Sequence, residues 1–202
     1  MITLYHAKGT CSMATLIALL EADAPHTVVR VDFASQQQRS ADYLAINPKG
    51  RVPALVTEHG VLTETPALLM YVAQCFPAAK LAPLDDPFAL ARMQELHSYL
   101  SSTVHVAHAH GRRGSRWADE ASSHADMLGK VTQNMVDCFA LIEQHYLQGP
   151  WALGDAYSVA DAYLFTMASW LHGDGVDIAQ FPKVHAHTQR MLERPAVQKA
   201  LA

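Results

Sequence analysis

Apolar and polar residues alternate on two different periods along this chain, and the period changes near residue 77. Up to about Phe76, short β-branched runs interleave with helical stripes; beyond Pro87 helical spacing dominates. Ile2 to Tyr5 reads as a strand, Ala7-Lys8-Gly9-Thr10 as a turn, and Cys11 to Leu20 as an apolar-periodic helix. His26 to Val31 is rich in β-branched residues and predicts a second strand, parallel to the first through a right-handed crossover. Pro53 to Val56 and Val61 to Thr63 flank a turn ending in Gly60 and predict an antiparallel hairpin. Thr65-Pro66 then opens a helix to about Phe76, with Thr as the expected cap and Pro at a position whose N–H has no helical partner. The order β-α-β, β-β-α predicts a thioredoxin-like α/β domain, a four-stranded mixed sheet with helices packed on it, over residues 1–77.

Residues 78–87 carry two of the three prolines of the stretch Pro77 to Pro87 and break both periods, so they read as a linker. From residue 88 to 202 the pattern predicts an all-helical domain. Leu90, Met93, Leu96, Leu100 and Val104 recur at three- and four-residue spacing, an amphipathic helix to about His110. Gly111 to Ser115 reads as a loop, Asp119 to Tyr146 as a long helix, Ser158-Val159-Ala160-Asp161 as a capped helix start, and Lys183 to Arg194 as a last helix closed by Pro195.

Composition narrows the classes of function. Half of the 202 residues are hydrophobic, 17% are charged and the formal net charge is −4. No broad basic field exists to attract nucleic acid or an anionic membrane, so a small molecule or another subunit is the expected partner. Three widely spaced cysteines, Cys11, Cys75 and Cys138, do not form a secreted disulfide framework. The N-terminus lacks the charged start and long apolar run of a signal peptide, and no stretch has the length to span a bilayer, which predicts a cytoplasmic protein.

Three segments carry chemistry. Cys11 falls at a predicted helix N-terminus, where unpaired N–H groups and the helix dipole favour an anion and would lower the thiol pKa; the same position also suits a small buried residue. Residue 14 is Ala, so no second cysteine completes a dithiol motif. In Asn47-Pro48-Lys49-Gly50-Arg51-Val52-Pro53, a proline opens a strand. A cis Val52-Pro53 bond would turn the Val52 N–H and C=O out of the sheet to pair with an extended peptide, whereas a trans bond would make it an ordinary edge proline. Glu64-Thr65 sets a carboxylate and a hydroxyl at a helix start, able to hold the ammonium and carboxylate of an amino acid. His105, His108 and His110 cluster on one helix, but no Cys, Asp or Glu ligand lies at helical spacing beside them, so no metal site is expected.

Gly9-Thr10-Cys11-Ser12, Asn47 to Leu55, Leu62 to Leu68 and Ser158 to Phe165, in that order, resemble the bacterial beta-class glutathione S-transferases over nearly the whole chain. The resemblance implies a glutathione-binding first domain, a helical domain supplying the pocket for a small hydrophobic electrophile, and a homodimer. It implies that Val52 pairs with the cysteinyl part of glutathione at the Val52-Pro53 bond, that Glu64 and Thr65 hold its γ-glutamyl end, and that Cys11 lies beside its sulfur. His105 matches a histidine that approaches that sulfur. Thr65 stands for the family's usual Ser and keeps the hydroxyl; Val106 and Ser98 depart from the basic residue and Asn common near His105. Arg51 and Arg39 are the candidates for the glycyl carboxylate. Tyr5 is a rival activator, since other classes use a tyrosine at the end of the first strand. The expected activity is conjugation of glutathione to electrophiles, with glutathione as cosubstrate and no metal. The alternatives are thiol-disulfide exchange, peroxide reduction or reductive dehalogenation at Cys11, and a non-catalytic ligand-binding or interaction protein.

Overall fold

Strands Ile2–His6 (β1) and His26–Arg30 (β2) flank helix Ser12–Glu21 (α1) and pair in parallel, Ile2 opposite His26. This computed structural model describes residues 2–202. Ala54–Thr57 (β3) lies antiparallel to β1 and to Gly60–Thr63 (β4), giving the sheet order β2-β1-β3-β4. The four-stranded mixed sheet expected from the sequence is therefore present. Helix α1 is buried from Ser12 to Leu19 and supplies much of the core with Leu4, Leu55 and residues of helix Thr65–Cys75.

A helix at Ala41–Ile46 (α2) is absent from the sequence reading. It is short, buries only Tyr43, and so shows no apolar stripe; its one local sign is Ser40, whose Oγ accepts from the Tyr43 N–H at 3.2 Å. Helix Thr65–Cys75 (α3) also differs in detail. Glu64, not Thr65, is its N-cap, and it caps with no side-chain hydrogen bond.

The first unit comprises residues 1–90 and 192–202, and the second residues 91–191. The C-terminal segment thus belongs with the sheet, although its composition is as helical as the segments before it. Pro195 does not merely close a helix. It opens the last one, Pro195–Leu201, because a proline has no N–H to lose in a first helical turn. Arg194, its N-cap, donates from Nε and Nη2 to the Glu21 carboxylate at 2.5 and 2.8 Å.

The second unit begins in helix Pro87–Tyr99 (α4), which runs through a π-helical segment, Leu100–Val104, into His105–Arg113 (α5). Ser101 and Ser102 both donate their hydroxyls to the Ser98 carbonyl, at 3.1 and 2.7 Å, competing with the backbone ladder where the helix widens. The expected stripe is buried at Met93, Leu96, Leu100 and Val104. Residues 111–113, read as loop, continue α5. Gly111 serves close packing there, since a Cβ would stand 3.3 Å from Val131 Cγ2. Helix Ala121–His145 (α6) follows, then Val159–Ala168 (α7) and Pro182–Leu192 (α8), with Pro195–Leu201 as α9.

At the start of α7 the capping box is complete. Asp161 Oδ2 accepts from the Ser158 N–H at 2.8 Å, and Oδ1 accepts from the Ala152 N–H at 2.7 Å and contacts His187 Nε2 at 2.9 Å. A buried carboxylate with this many partners ties the loop before α7 to α8. Nearby His97 is fully buried, and desolvation pushes its pKa down to about 4, outweighing the Val159 backbone and the Asp161 carboxylate, which act the other way. Its folded-state pKa lies below the unfolded value, so the unfolded chain takes up the proton first as pH falls. Stability present above pH 6.5 is then lost toward pH 4, on the order of 3 kcal/mol from this group. Urea unfolding across that range should show the slope in the native chain and a shallower one in His97→Leu; equal slopes would remove His97 as its source.

Candidate active site

Cys11 is the N-cap of α1, with backbone angles already helical. Its turn is knotted by short side chains. Thr10 Oγ1 donates to the Ala7 carbonyl at 2.8 Å and pairs with Ser12 Oγ at 2.7 Å; Ser12 Oγ also meets His6 Nδ1 at 2.8 Å and accepts from the Ala7 N–H at 3.2 Å. Gly9 sits at φ +73°, a conformation that costs a side chain strain. Burial lowers the His6 pKa, the Ser12 backbone opposing and Arg30 reinforcing that shift, so its imidazole is neutral at pH 7. The result is a rigid loop that presents one sulfur. Sequence reasoning passed over His6 and the Ser12 hydroxyl, because a lone histidine ending a strand has no local signature.

The second predicted segment converges on the first. Val52-Pro53 is cis, and Val52 lies two residues before β3, outside its ladder. The Cys11 thiol donates to the Val52 carbonyl at 3.4 Å, which brings together two predicted site residues 41 positions apart. Cys11 and Val52 are each 8% exposed, so the contact sits just under the surface.

What holds Val52 there is a loop ordered by one asparagine. Asn47, 1% exposed, donates from Nδ2 to the Arg51 carbonyl at 2.6 Å, and its Oδ1 accepts from the Lys49 N–H at 3.1 Å. Tyr43 Oη donates to the same Arg51 carbonyl at 2.6 Å, while the Gly50 N–H returns to the Asn47 carbonyl at 2.9 Å. Gly50, at φ +59°, lies under the Arg39 guanidinium, where a Cβ would come within 2.8 Å of Nη1. Arg39 and Arg51 therefore flank one glycine, the two basic residues expected near a carboxylate. Tyr43 did not stand out in the sequence and Asn47 entered only as the first residue of its segment, since their value lies in a carbonyl that only folding places between them.

Glu64 has φ +74°, a costly conformation for a residue with a side chain, and such outliers gather at functional sites. Its carboxylate accepts from Lys49 Nζ at 2.5 Å, and Nζ also donates to Thr63 Oγ1 at 2.9 Å. Both partners are about half exposed, so this ion pair contributes roughly 0–1 kcal/mol and yields readily to another cation. Beside it, the Thr65 and Ala67 N–H groups head α3 without helical carbonyls to bond, while Leu68 N–H takes up the Glu64 carbonyl at 3.0 Å. An exposed carboxylate next to open helix N–H groups suits a zwitterion.

His105 belongs to the second unit. There its ring meets Trp170 edge-on at 5.0 Å, and Arg113 Nη1 donates to its Nε2 at 3.5 Å. His108 stacks on the same indole at 4.2 Å and contacts both Asp174 oxygens, at 2.8 and 2.9 Å. The π-helical segment immediately before His105 rotates the helix face at this point, a feature frequent at functional sites. Tyr5 packs edge-on against Tyr43 at 5.7 Å, a core contact. Arg112 and Arg113 end α5 and do not lie on a loop. Among the described residues no group of three or more His, Cys, Asp or Glu could hold a metal ion, and no helix is long and apolar enough to cross a membrane.

Residues 1–74 match the glutathione S-transferase N-terminal domain and residues 89–190 the glutathione S-transferase C-terminal domain. The glutathione S-transferase GstA of Escherichia coli O157:H7 is 31% identical over 98% of this chain and 96% of its own length. A glutathione transferase homolog from Sulfitobacter, solved with bound glutathione, is 52% identical with a TM-score of 0.96, covering 98% of this chain and 96% of that one. A beta-class glutathione S-transferase from Sphingomonas chungbukensis is 32% identical with a TM-score of 0.86, at 98% and 96% coverage. With a matching model on each half and relatives aligned along nearly its full length, this chain belongs to the glutathione S-transferase family.

Proposed function

We propose that the protein binds glutathione and joins it through its sulfur to a small hydrophobic electrophile, as a beta-class enzyme. The observation that carries this reading is the contact between the Cys11 thiol and the Val52 carbonyl, which sets a sulfur donor beside backbone that a bound peptide would pair with. The Val52 N–H and C=O would take the cysteinyl residue of glutathione, with Pro53 directing the chain into β3. Glu64 would accept the γ-glutamyl ammonium as Lys49 gives way, Thr65 and the open N–H groups of α3 would hold the adjacent carboxylate, and Arg51 with Arg39 would face the glycyl end.

In this reading Cys11 acts as a hydrogen-bond donor. A free thiol with a pKa of about 8.5 is only a few per cent ionised at pH 7, and an S–H or N–H aimed at the sulfur shifts it toward the thiolate nucleophile. His105 is proposed as a second donor, held in orientation by Trp170 and Arg113. The mixed-disulfide alternative asks for an accessible, activated cysteine, and the burial of Cys11 and its donation to a carbonyl speak for the donor role. The resemblance extends the proposal to a homodimer acting in the cytoplasm; light scattering of the purified chain would test the dimer.

Calorimetric titration with glutathione should give saturable binding in the native protein, weakened roughly ten- to a hundredfold in Glu64→Gln, as expected for losing a hydrogen bond to a charged group. Absence of any binding to the native chain would sink the assignment. In Cys11→Ala, affinity should hold within a few-fold while turnover of an aromatic halide falls and the pH at which bound glutathione ionises rises. If instead the native chain takes up one glutathione by intact mass under oxidised glutathione, and Cys11→Ala loses only disulfide exchange, the redox reading replaces conjugation.

The loop that carries Val52 gives a separate expectation. Asn47→Ala strips the Lys49 N–H of its acceptor and the Arg51 carbonyl of one of its two donors, so it should cost about 1–3 kcal/mol in urea unfolding. The half-saturating glutathione concentration should rise at the same time. Unchanged saturation in a folded Asn47→Ala would separate this loop from the site.

A further inference from the structure

Away from the Cys11 turn, the first unit holds a cavity of about 240 Å³ between the edge of the sheet and the C-terminal helix. His26, Val28 and Arg30 alternate along β2 and so face the same way, and they form one wall. Leu16 and Leu20 of α1 form the floor, and Lys199 to Ala202 close the far side. Lys8, Arg30 and Lys199 bring three cations to its lining, and no aspartate or glutamate side chain lines it. None of the three is in an ion pair among the described residues. Lys8 Nζ makes only a long bond, 3.5 Å, to the Leu201 carbonyl. The acid beside Leu20 on α1, Glu21, is held by both donors of Arg194. In a chain whose net charge is −4, three cations outside any ion pair among the described residues gather around an apolar floor and set up a positive local field.

We propose that this cavity binds a small amphipathic carboxylate, its apolar body against Leu16, Leu20 and Val28 and its carboxylate among Lys8, Arg30 and Lys199. The size excludes a polymer, and the apolar floor distinguishes the ligand from a bare inorganic anion, which would leave that surface wet. The site is separate from the proposed glutathione contacts but is joined to their scaffold: His6 lines the cavity and bonds through Nδ1 to Ser12 Oγ, the residue after Cys11. A bound acid is therefore positioned to be felt at the turn that presents the sulfur.

The test uses the full chain with 2-naphthoate as the probe, followed by calorimetry and by the ring-proton resonances of His6 and His26. Saturable binding that moves both resonances is expected, together with at least tenfold weaker binding of the uncharged analogue 2-naphthalenemethanol. The affinity should fall at least tenfold in the double variant Arg30→Gln, Lys199→Gln and likewise in Val28→Glu, which sets an acid in the wall of the cavity; circular dichroism confirms that each variant is folded. Naphthoate that binds equally well to both variants, or leaves the two resonances unmoved, overturns the proposal. Displacement of naphthoate by glutathione would assign it to the other site and overturn it too. Inorganic phosphate binding as tightly as naphthoate would reduce the cavity to a plain anion site and reject the amphipathic ligand.

Discussion

The geometry of the first unit's site hangs on the Arg51 carbonyl. It lies just before a strand, in a stretch of backbone that belongs to no ladder, and a polar group in such a place must find partners or leave the site undefined. Two donors meet it at 2.6 Å each, the Asn47 amide and the Tyr43 hydroxyl. Tyr43 is brought there by α2, and Asn47 is the residue that ends α2, so the short helix exists in this fold to deliver both donors. With Arg51 fixed, Val52 is fixed, and the Val52 carbonyl meets the Cys11 thiol. A chain of dependence thus runs from a six-residue helix to the sulfur.

That dependence also explains which parts of the protein could be read from its sequence. The strands, their parallel and antiparallel pairings, and the start of α7 at Ser158 followed from local signals of periodicity, turn residues and capping, and the structure reproduces them. Cys11 and Val52 were legible as candidates because each breaks a local rule, a cysteine opening a helix and a proline opening a strand. Helix α2 was not legible, because its single buried tyrosine leaves no periodic mark. Thr65 was read as a cap by residue type, yet the chain places Glu64 there at positive φ, a choice that propensity alone disfavours. Pro195 and Gly111 were both read as breaks. One starts a helix and the other lets α5 approach α6, and only the neighbours decide between those roles.

In the helical unit the same principle appears with a charge in place of a carbonyl. Asp161 is buried completely and answers two backbone N–H groups and one imidazole, so the loop before α7, the first turn of α7 and α8 share one acceptor. Breaking such a group strands several polar partners at once, which makes it strongly non-additive. The side chains around Trp170 are set differently. His108 is clamped by Asp174 and stacks flat on the indole, leaving His105 to approach the ring by its edge under the donor of Arg113. A widened turn of helix, produced where two serine hydroxyls crowd one carbonyl, precedes it. The orientation of His105 is accordingly a product of packing and not of helix propensity.

Under the proposed function, the chemistry turns on the hydrogen of the Cys11 thiol. A thiolate beside a carbonyl oxygen would face the negative end of its dipole, whereas a thiol donates to it; the helix N-terminus pulls the other way, toward the anion. In this structure the Val52 carbonyl accepts a hydrogen bond from the thiol at 3.4 Å, a contact open only to the protonated sulfur. A protonated Cys11 is a poor nucleophile and a ready donor. In the proposed complex an extended peptide pairing with Val52 would give that carbonyl an amide N–H to accept, and the Cys11 thiol would turn its hydrogen toward the peptide's sulfur. The substrate would thus create its own donor by occupying the partner that Cys11 holds without it, coupling recognition of the peptide backbone to stabilisation of the thiolate in a single exchange of hydrogen bonds.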